Sequence, residues 1–478
     1  MKPILLLCAL AFPAFAAEPI STWPQFRGPN ATGIAADSKP PQKFGPNENV
    51  LWQIDLPFAP SSPCIWGDHI FVKTYDQDRL QVRDYRRSDG ENRWARGFQV
   101  PALEEFHSSE GSPAASTPAT DGRRVVSYFG SFGLVCQNFN GLEIWRVSMP
   151  AAQTAGGFGS GTSPIIVGNK VILNRDQQAN SVIMAFDLET GKKLWETARA
   201  GSPTSYSTPV VWRGNDRTNI VVAGSLAMKA YDLRDGSLTW AARGLPSFTC
   251  PTPAIDGDMI YFAGWSPGKS DSPWPSWQST LNRLDKDKDG KISEQEFGSG
   301  KAWFRSQDID NDGFITADDW KKIQSLMDQG ENTLVAVKAG GSGDITQTHV
   351  VWKATRGLPY VPSALYYDGN VYIVKDGGML SCFDAKTGES RYVQERIDAN
   401  GSYYASPVAA DGRIFLASLN GRVTVVKAGG SKPEVIHQAD FHERIPATMA
   451  IVDDKIYLRT QTKMYAFGAK ENAPEASK

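Results

Sequence analysis

Cysteine is scarce in this 478-residue chain, and its five copies are never neighbours. Without a Cys-x-x-Cys pair there is no zinc-ribbon or thiol-redox signature. Cys64, Cys136, Cys250 and Cys382 leave two readings open, buried free thiols or one long-range disulfide. Histidine is equally rare, and no His-Glu-x-x-His is present; His437 and His442 stand five apart and read as ordinary surface or core residues. Lys and Arg (50) nearly balance Asp and Glu (52), and the signs are interspersed, so no basic stripe for nucleic acid exists. A Gly-x-Ser-x-Gly nucleophile elbow is missing. Gly156-Gly-Phe-Gly-Ser-Gly161 is not followed by a helical pattern, which excludes a phosphate cradle and leaves a flexible connection between repeats.

Long apolar runs are absent too, apart from the first. Residues 1–17 have a basic start, an apolar stretch and the small-residue site Ala14-Phe-Ala16, the pattern of a secretory signal peptide. Cys8 lies within the apolar stretch with Leu7 before it, an unsuitable place for a lipoprotein cysteine. With no other stretch able to span a bilayer, the mature chain is expected to be exported and soluble, in the periplasm or outside the cell.

What the chain does have is a pair of acidic loops. Asp285-Lys-Asp-Lys-Asp-Gly-Lys-Ile-Ser-Glu-Gln-Glu296 and Asp308-Ile-Asp-Asn-Asp-Gly-Phe-Ile-Thr-Ala-Asp-Asp319 each place oxygen ligands at EF-hand spacing. Calcium takes six to eight oxygens, and Asp285, Asp287 and Asp289 in the first loop, then Asp308, Asp310 and Asp312 in the second, supply short carboxylates along one wrapped turn. Position 7 gives only its carbonyl (Lys291, Phe314), and position 9 ligates directly or through water (Ser293, Thr316). Gly290 and Gly313 permit the bend between. Glu296 at position 12 can bind through both oxygens, whereas Asp319 is one methylene shorter, so the first site is expected to be the tighter. Ile292 and Ile315 are expected to pair as a short strand. Leu281 and Leu284 before the loops, and Trp320, Ile323 and Met327 after them, fit flanking helices. The short linker makes the pair similar to dockerin-like or secreted calcium-binding repeats, and in a compartment rich in calcium a structural clamp is expected rather than a switch.

The remainder repeats. A hydroxyl beside proline or a small residue recurs at Ser62, Thr117, Ser163, Thr208, Thr252, Ser363, Ser406 and Thr448, mostly 41 to 55 residues apart. The one long interval becomes ordinary once an insert over 267–330 is removed. Openings lead into hairpins such as Asp256-Gly-Asp-Met-Ile-Tyr-Phe262. Units close on elements such as Ala185-Phe-Asp-Leu-Glu-Thr-Gly-Lys-Lys-Leu-Trp195, Ala230-Tyr-Asp-Leu-Arg-Asp-Gly-Ser-Leu-Thr-Trp240 and Cys382-Phe-Asp-Ala-Lys-Thr-Gly-Glu-Ser-Arg-Tyr392, whose last ring is expected to pack between neighbouring units. Gly90-Glu-Asn-Arg-Trp94 and Gly141-Leu-Glu-Ile-Trp145 are looser versions. The last unit stops at Tyr465-Ala-Phe467, and Val50-Leu-Trp52 stands unpaired in front, so the first strand is expected to complete the final blade.

This closing element resembles the tryptophan-docking motif of the quinoprotein-like propellers, a superfamily of pyrroloquinoline-quinone (PQQ) alcohol dehydrogenases and the outer-membrane assembly propeller. Trp23-Pro-Gln-Phe-Arg-Gly-Pro-Asn30 is similar to the opening of exported PQQ-like propellers and reads as a plug or strap, with Arg27 either packed or functional. The resemblance, which covers about 49–468, implies an all-β, eight-bladed β-propeller of four-stranded blades carrying a small α-helical EF-hand insertion. The expected order is a signal peptide (1–17), an N-terminal segment (18–48), blades 1 to 5 (49–266), the insert (267–330), the rest of blade 5 with blades 6 to 8 (331–468) and a polar tail (469–478).

Two functions compete. A PQQ-dependent dehydrogenase of alcohols or sugars would hold quinone and calcium on the axis, and relatives of that kind use adjacent cysteines that this chain lacks. The favoured reading is a calcium-binding, non-catalytic module that recruits a protein, peptide or polysaccharide, with the EF-hands as an arm. Trp265, Trp274 and Trp277 are expected to anchor that arm on blade five. A cation-lined axial funnel with a stacking Trp would favour the enzyme, and a filled channel the module.

Overall fold

The computed structural model describes residues 21–100, 102–267, 275–397 and 400–469. The expected signal peptide, Trp274 and the tail beyond 469 lie outside them.

Eight sheets are arranged as the blades of a propeller, each built on four antiparallel strands that run in sequence order from the axis outward except in blade 8, with a short extra strand added to blades 1 and 4. Blade 3 is representative, with strands Ile165–Val167, Lys170–Arg175, Val182–Asp187 and Lys193–Ala198. The second and third strands are almost wholly buried, while the fourth alternates, burying Trp195 between exposed neighbours. Val50–Asp55 pairs antiparallel with Lys463–Phe467 and forms the outer strand of blade 8, so the first strand closes the ring and removes an open edge.

Neighbouring blades are joined by the docking residues. Trp145 donates its indole N–H to Leu188 O of the next blade at 2.9 Å, and its ring covers Gly191 there. Trp94 repeats this on Phe139 O and Gly141, Trp195 on Leu233 O and Gly236, Trp352 on Ala385 O and Gly388, and Trp52 on Arg87 O and Gly90. A Cβ at Gly191 would stand 2.7 Å from the Trp145 ring, and the backbone there is left-handed (φ 70°), so both the contact and the turn demand glycine. The looser copies at Gly90 and Gly141 therefore dock as the full ones do. Trp240 differs: in blade 5 the tight turn is replaced by a longer link whose Gly343–Asp344 runs parallel to Trp240 and Ala241.

The N-terminal segment crosses one end of the axis. Thr22 and Trp23 pair with Trp66 and Ile65 of blade 1. Asn30 exchanges two hydrogen bonds with Val211 of blade 4, and Ile34 bridges to Ala409 of blade 7. Trp23 covers Gly28, whose Cβ would meet the ring at 2.7 Å. Arg27 is wholly buried, donates Nη2 to Ala364 O of blade 6 at 2.7 Å, and is pulled down to about 9 by burial.

In blade 5 the second strand, Met259–Gly264, and the third, Thr333–Lys338, are separated by the insert. It contains helices α1 (Trp277–Leu284), α2 (Glu294–Phe297), α3 (Lys301–Gln307) and α4 (Ala317–Gln329). Its small core is made of Ile292, Phe304, Ile315 and Trp320, with Trp277, Leu281, Leu284 and Phe297 packed against it. Trp277 lies 5.8 Å from Trp320 in this core, whereas Trp265 packs edge-on to Tyr360 of the propeller. The tryptophans expected to form one anchor thus serve two cores.

The four described cysteines are free thiols; Cys64, Cys136 and Cys382 are buried, and burial pushes Cys250 up to about 12. No helix among the described residues is long and apolar enough to cross a membrane.

Candidate functional site: two acidic loops and a roofed axial chamber

The first site candidate is the loop pair. Ile292 and Ile315 pair antiparallel between the loops, and both are fully buried. This strand holds the loops back to back. In each, the three aspartates of positions 1, 3 and 5 bring carboxylate oxygens within 4.8 Å of one another. Backbone N–H groups aim them: Asp285 accepts from Lys288 N at 2.7 Å and Gly290 N at 3.1 Å, and Asp308 accepts from Asp312 N and Gly313 N, both at 3.1 Å. Asp289 and Asp312 each accept from the position-7 N–H, of Lys291 and Phe314, at 2.9 Å. In each triad the residues at positions 3 and 5 are exposed, while at position 1 Asp285 is half-buried and Asp308 is buried.

Position 12 is tied down as well. Glu296 closes a capping box with Ser293 at the start of α2, and Asp319 closes one with Thr316 at the start of α4. Glu296 also reaches back to Lys286 N at 2.8 Å, and Asp319 reaches Ile309 N at 3.3 Å, so both span their loops. The N–H donors hold Glu296 down at about 2. Asp308, in contrast, is raised, with burial the main cause. All twelve positions named from the sequence thus fall on two wrapped loops, and the two differ in exposure.

The second candidate is the axis, which the sequence had marked only as strand openings. Ser62 N donates to Thr117 Oγ1, Thr117 N to Ser163 Oγ, Ser163 N to Thr208 Oγ1 and Thr208 N to Thr252 Oγ1. The chain continues from Thr252 N to Ser363 Oγ, Ser363 N to Ser406 Oγ and Ser406 N to Thr448 Oγ1. Seven links of 2.9 to 3.1 Å thus join all eight openings around the axis. The repeat keeps a hydroxyl there because seven of the eight, all but Ser62, satisfy a buried backbone N–H of the neighbouring blade.

A cavity of about 740 Å³ lies on this ring. Each residue two before a ring hydroxyl lines it: Tyr206, Cys250, Val361 and Tyr404 on successive blades, then Pro446, Pro60, Ala115 and Gly161. Phe26 of the N-terminal segment lines it too. The opposite side is lined by the insert, through Trp303 of α3, Ile323 and Met327 of α4, and Asp308 and Asn311 of the second loop. Rather than projecting as an arm, the insert folds back from blade 5 over the axis to the loops around blades 2 and 3.

Its dock there is specific. Trp303 stands edge-on to Phe158 at 5.7 Å, and a Cβ on Gly156 would come within 2.7 Å of the Trp303 ring. Arg305 pairs with Glu105, and Ser247 Oγ donates to Leu326 O at 3.0 Å on the blade-5 side. The glycine run expected to be a flexible connection is thus a packed platform, whose left-handed turns at Gly156 and Gly157 let α3 approach. Beneath it Glu104 is buried, accepts from Ser160 N at 2.9 Å and Ser160 Oγ at 2.7 Å, and is raised to about 7 by burial, with nearby Lys73 opposing.

Four charged side chains line the cavity among the described residues: Glu110, and from the insert Arg305, Asp308 and Lys322. Glu110 accepts from Tyr404 Oη, and Arg305 is paired with Glu105. The axis is therefore neither a cation-lined funnel nor a filled channel. A quinone carrying several carboxylates, with calcium beside it, needs cations and an acidic ligand set on the propeller. The lining does not fit it, because among the described residues the metal-type carboxylate groups are the two aspartate triads of the insert.

Known proteins bear on this geometry. The family model described as outer membrane protein assembly factor BamB matches residues 81–249 and 320–474, and an EF-hand model matches 278–299 and 301–324. No curated protein matches the chain. Among solved structures, BamB from Moraxella catarrhalis is 13% identical with a TM-score of 0.53, covering 88% of this chain and 97% of that one. Quinohemoprotein alcohol dehydrogenase from Comamonas testosteroni is also 13% identical, with a TM-score of 0.55 over 96% of this chain and 82% of that one. The computationally designed Ika8 protein, 10% identical, has a TM-score of 0.54 over 88% and 100%. Likeness to an assembly factor, an enzyme and a designed protein establishes the fold alone.

Proposed function

Because the chain belongs to the family described as outer membrane protein assembly factor BamB, we propose that it is an exported calcium-binding propeller acting as a non-catalytic binding or scaffolding module. The observation that carries this reading is the paired loops, whose carboxylates are already converged by backbone donors and by position-12 residues reaching across each loop. A cation there would relieve the repulsion of clustered carboxylates and lock α1 to α2 and α3 to α4. Calcium acts here as a structural clamp on the roof of the axis.

The rim supports a recruiting role. Leu51, Ile144, Leu194 and Val351, each the residue before a docking Trp, are exposed on outer strands of different blades. Such strands also offer edges to a protein or peptide partner. Export rests on the pattern of residues 1–17.

The alternative, a PQQ-dependent dehydrogenase, draws on the likeness to quinohemoprotein alcohol dehydrogenase and is opposed by the lining chemistry of the axis. Native mass spectrometry of the mature protein with calcium, then PQQ, before and after chelation, decides between them. Two chelatable calcium ions without a quinone adduct are expected. A stoichiometric quinone adduct would establish the alternative, and no bound calcium would end the calcium reading.

A further inference from the structure

The chamber on the axis has the build of a ligand site. Its volume of about 740 Å³ is in the range of small-molecule pockets. Its wall is written by one recurrent position, two residues before each ring hydroxyl. The hydroxyl itself must stay, since a neighbour's backbone N–H depends on it. The earlier position has no such duty and changes from blade to blade, so it is where this architecture can encode ligand choice. Tyr206, which packs beside Gly161, and Tyr404 offer aromatic surface at that position, Ala115 and Gly161 leave room, and Trp303 adds another ring from the roof.

The polar groups are mostly neutral. Ring hydroxyls such as Ser62 and Thr208, with Gln153 and Gln178, line the space, while Glu110 and Arg305 are engaged by Tyr404 and Glu105, Asp308 is held by the N–H groups of its loop, and Lys322 is exposed. A charged ligand that used Glu110 or Arg305 would have to break those pairs. Aromatic faces set against converging hydroxyl and amide groups suit a ring with apolar C–H faces and equatorial hydroxyls.

From this geometry we infer that the axial chamber binds a neutral saccharide, and that calcium in the second loop strengthens the binding by fixing the roof. The second part rests on the calcium reading above. Asp308 is at once the first ligand of that loop and part of the chamber lining, and α4, which begins at the loop's end, carries Ile323 and Met327 into the roof. Loop and ligand therefore share one element, and each must raise the other's affinity by the same factor.

Isothermal titration of the full mature chain with glucose, N-acetylglucosamine and maltose, in calcium and in chelator, tests this, with glucuronate as the charged control and calcium stoichiometry followed by native mass spectrometry. The expected result is binding of at least one neutral sugar, weakened at least fivefold by chelation, with glucuronate weaker. Ala115→Leu, which fills the chamber where Ala115 leaves room, and Tyr404→Ala should each weaken that sugar at least tenfold while leaving two calcium ions bound. No sugar binding by protein that holds two calcium ions would overturn the inference and leave the calcium reading standing. Sugar binding that ignores chelation would overturn the linkage, and tighter binding of glucuronate would overturn the neutral ligand class.

Discussion

The two EF-hand loops share a spacing but not a setting. Positions 3 and 5 are exposed in both, but in the first Asp285 and Glu296 are only half-buried, and Glu296 is held low by N–H donors. The second sits against the propeller, with Asp308 and Asp319 buried and Asp308 raised by desolvation. One motif can thus serve as an open clamp on one side of a small domain and as part of a chamber wall on the other. The difference is made by the dock beneath α3, and it extends to Glu104, a carboxylate kept high by the same burial.

The largest test of that contrast is Glu104→Gln. A carboxyl raised from 4.5 to about 7 keeps its proton in the folded state across that window, so stability is highest below it and falls as pH rises through it. Glu104→Gln should flatten the slope, gaining about 3 kcal/mol over the native chain at pH 8 relative to pH 4 in urea unfolding. A slope that survives the substitution would place its origin elsewhere.

Next in size, Gly156→Val should cost about 2 kcal/mol through the clash with Trp303 and the left-handed backbone, and should shift tryptophan emission as the roof lifts. Gly298→Ala on the first-loop side meets nothing nearer than Glu296 O at 3.8 Å, so it should carry only backbone strain of about 1 kcal/mol and leave the emission unchanged. Equal emission shifts would erase the distinction between the two sides.

Glu296→Asp should weaken the first calcium site by roughly tenfold, about 1.4 kcal/mol, and bring it level with the second, as read by calorimetric titration. The smallest effect belongs to Arg305→Ala. Its pair with Glu105 is partly exposed, so its loss should cost under about 1 kcal/mol, read as a modest rise in proteolysis of the insert.

Much of this was legible in local pattern. Hydroxyl-proline openings, Thr-Gly turns and closing tryptophans announce a propeller because each unit must repeat the same few contacts with its neighbour. The EF-hand loops were legible because a metal site built within twelve residues needs no distant partner. The unpaired Val50-Leu-Trp52 revealed the closure of the ring. What the repeat hid was the purpose of the hydroxyls: Thr117 meets Ser62 and Ser163 only when blades come together. The three tryptophans near the insert could not be apportioned between cores, since Trp277 and Trp265 differ only in which body covers them.

By itself, then, the sequence determined the eightfold fold, the closure of its ring and the two EF-hand loops, since the repeat, its missing last strand and the twelve-residue spacing are all patterns read along the chain. Only the tertiary structure decided that the insert lies back across the axis, that Gly156 receives Trp303, and that Tyr206, Tyr404 and Asp308 border one chamber. Those juxtapositions join residues far apart along the chain, and no spacing in a sequence encodes them before its blades have closed.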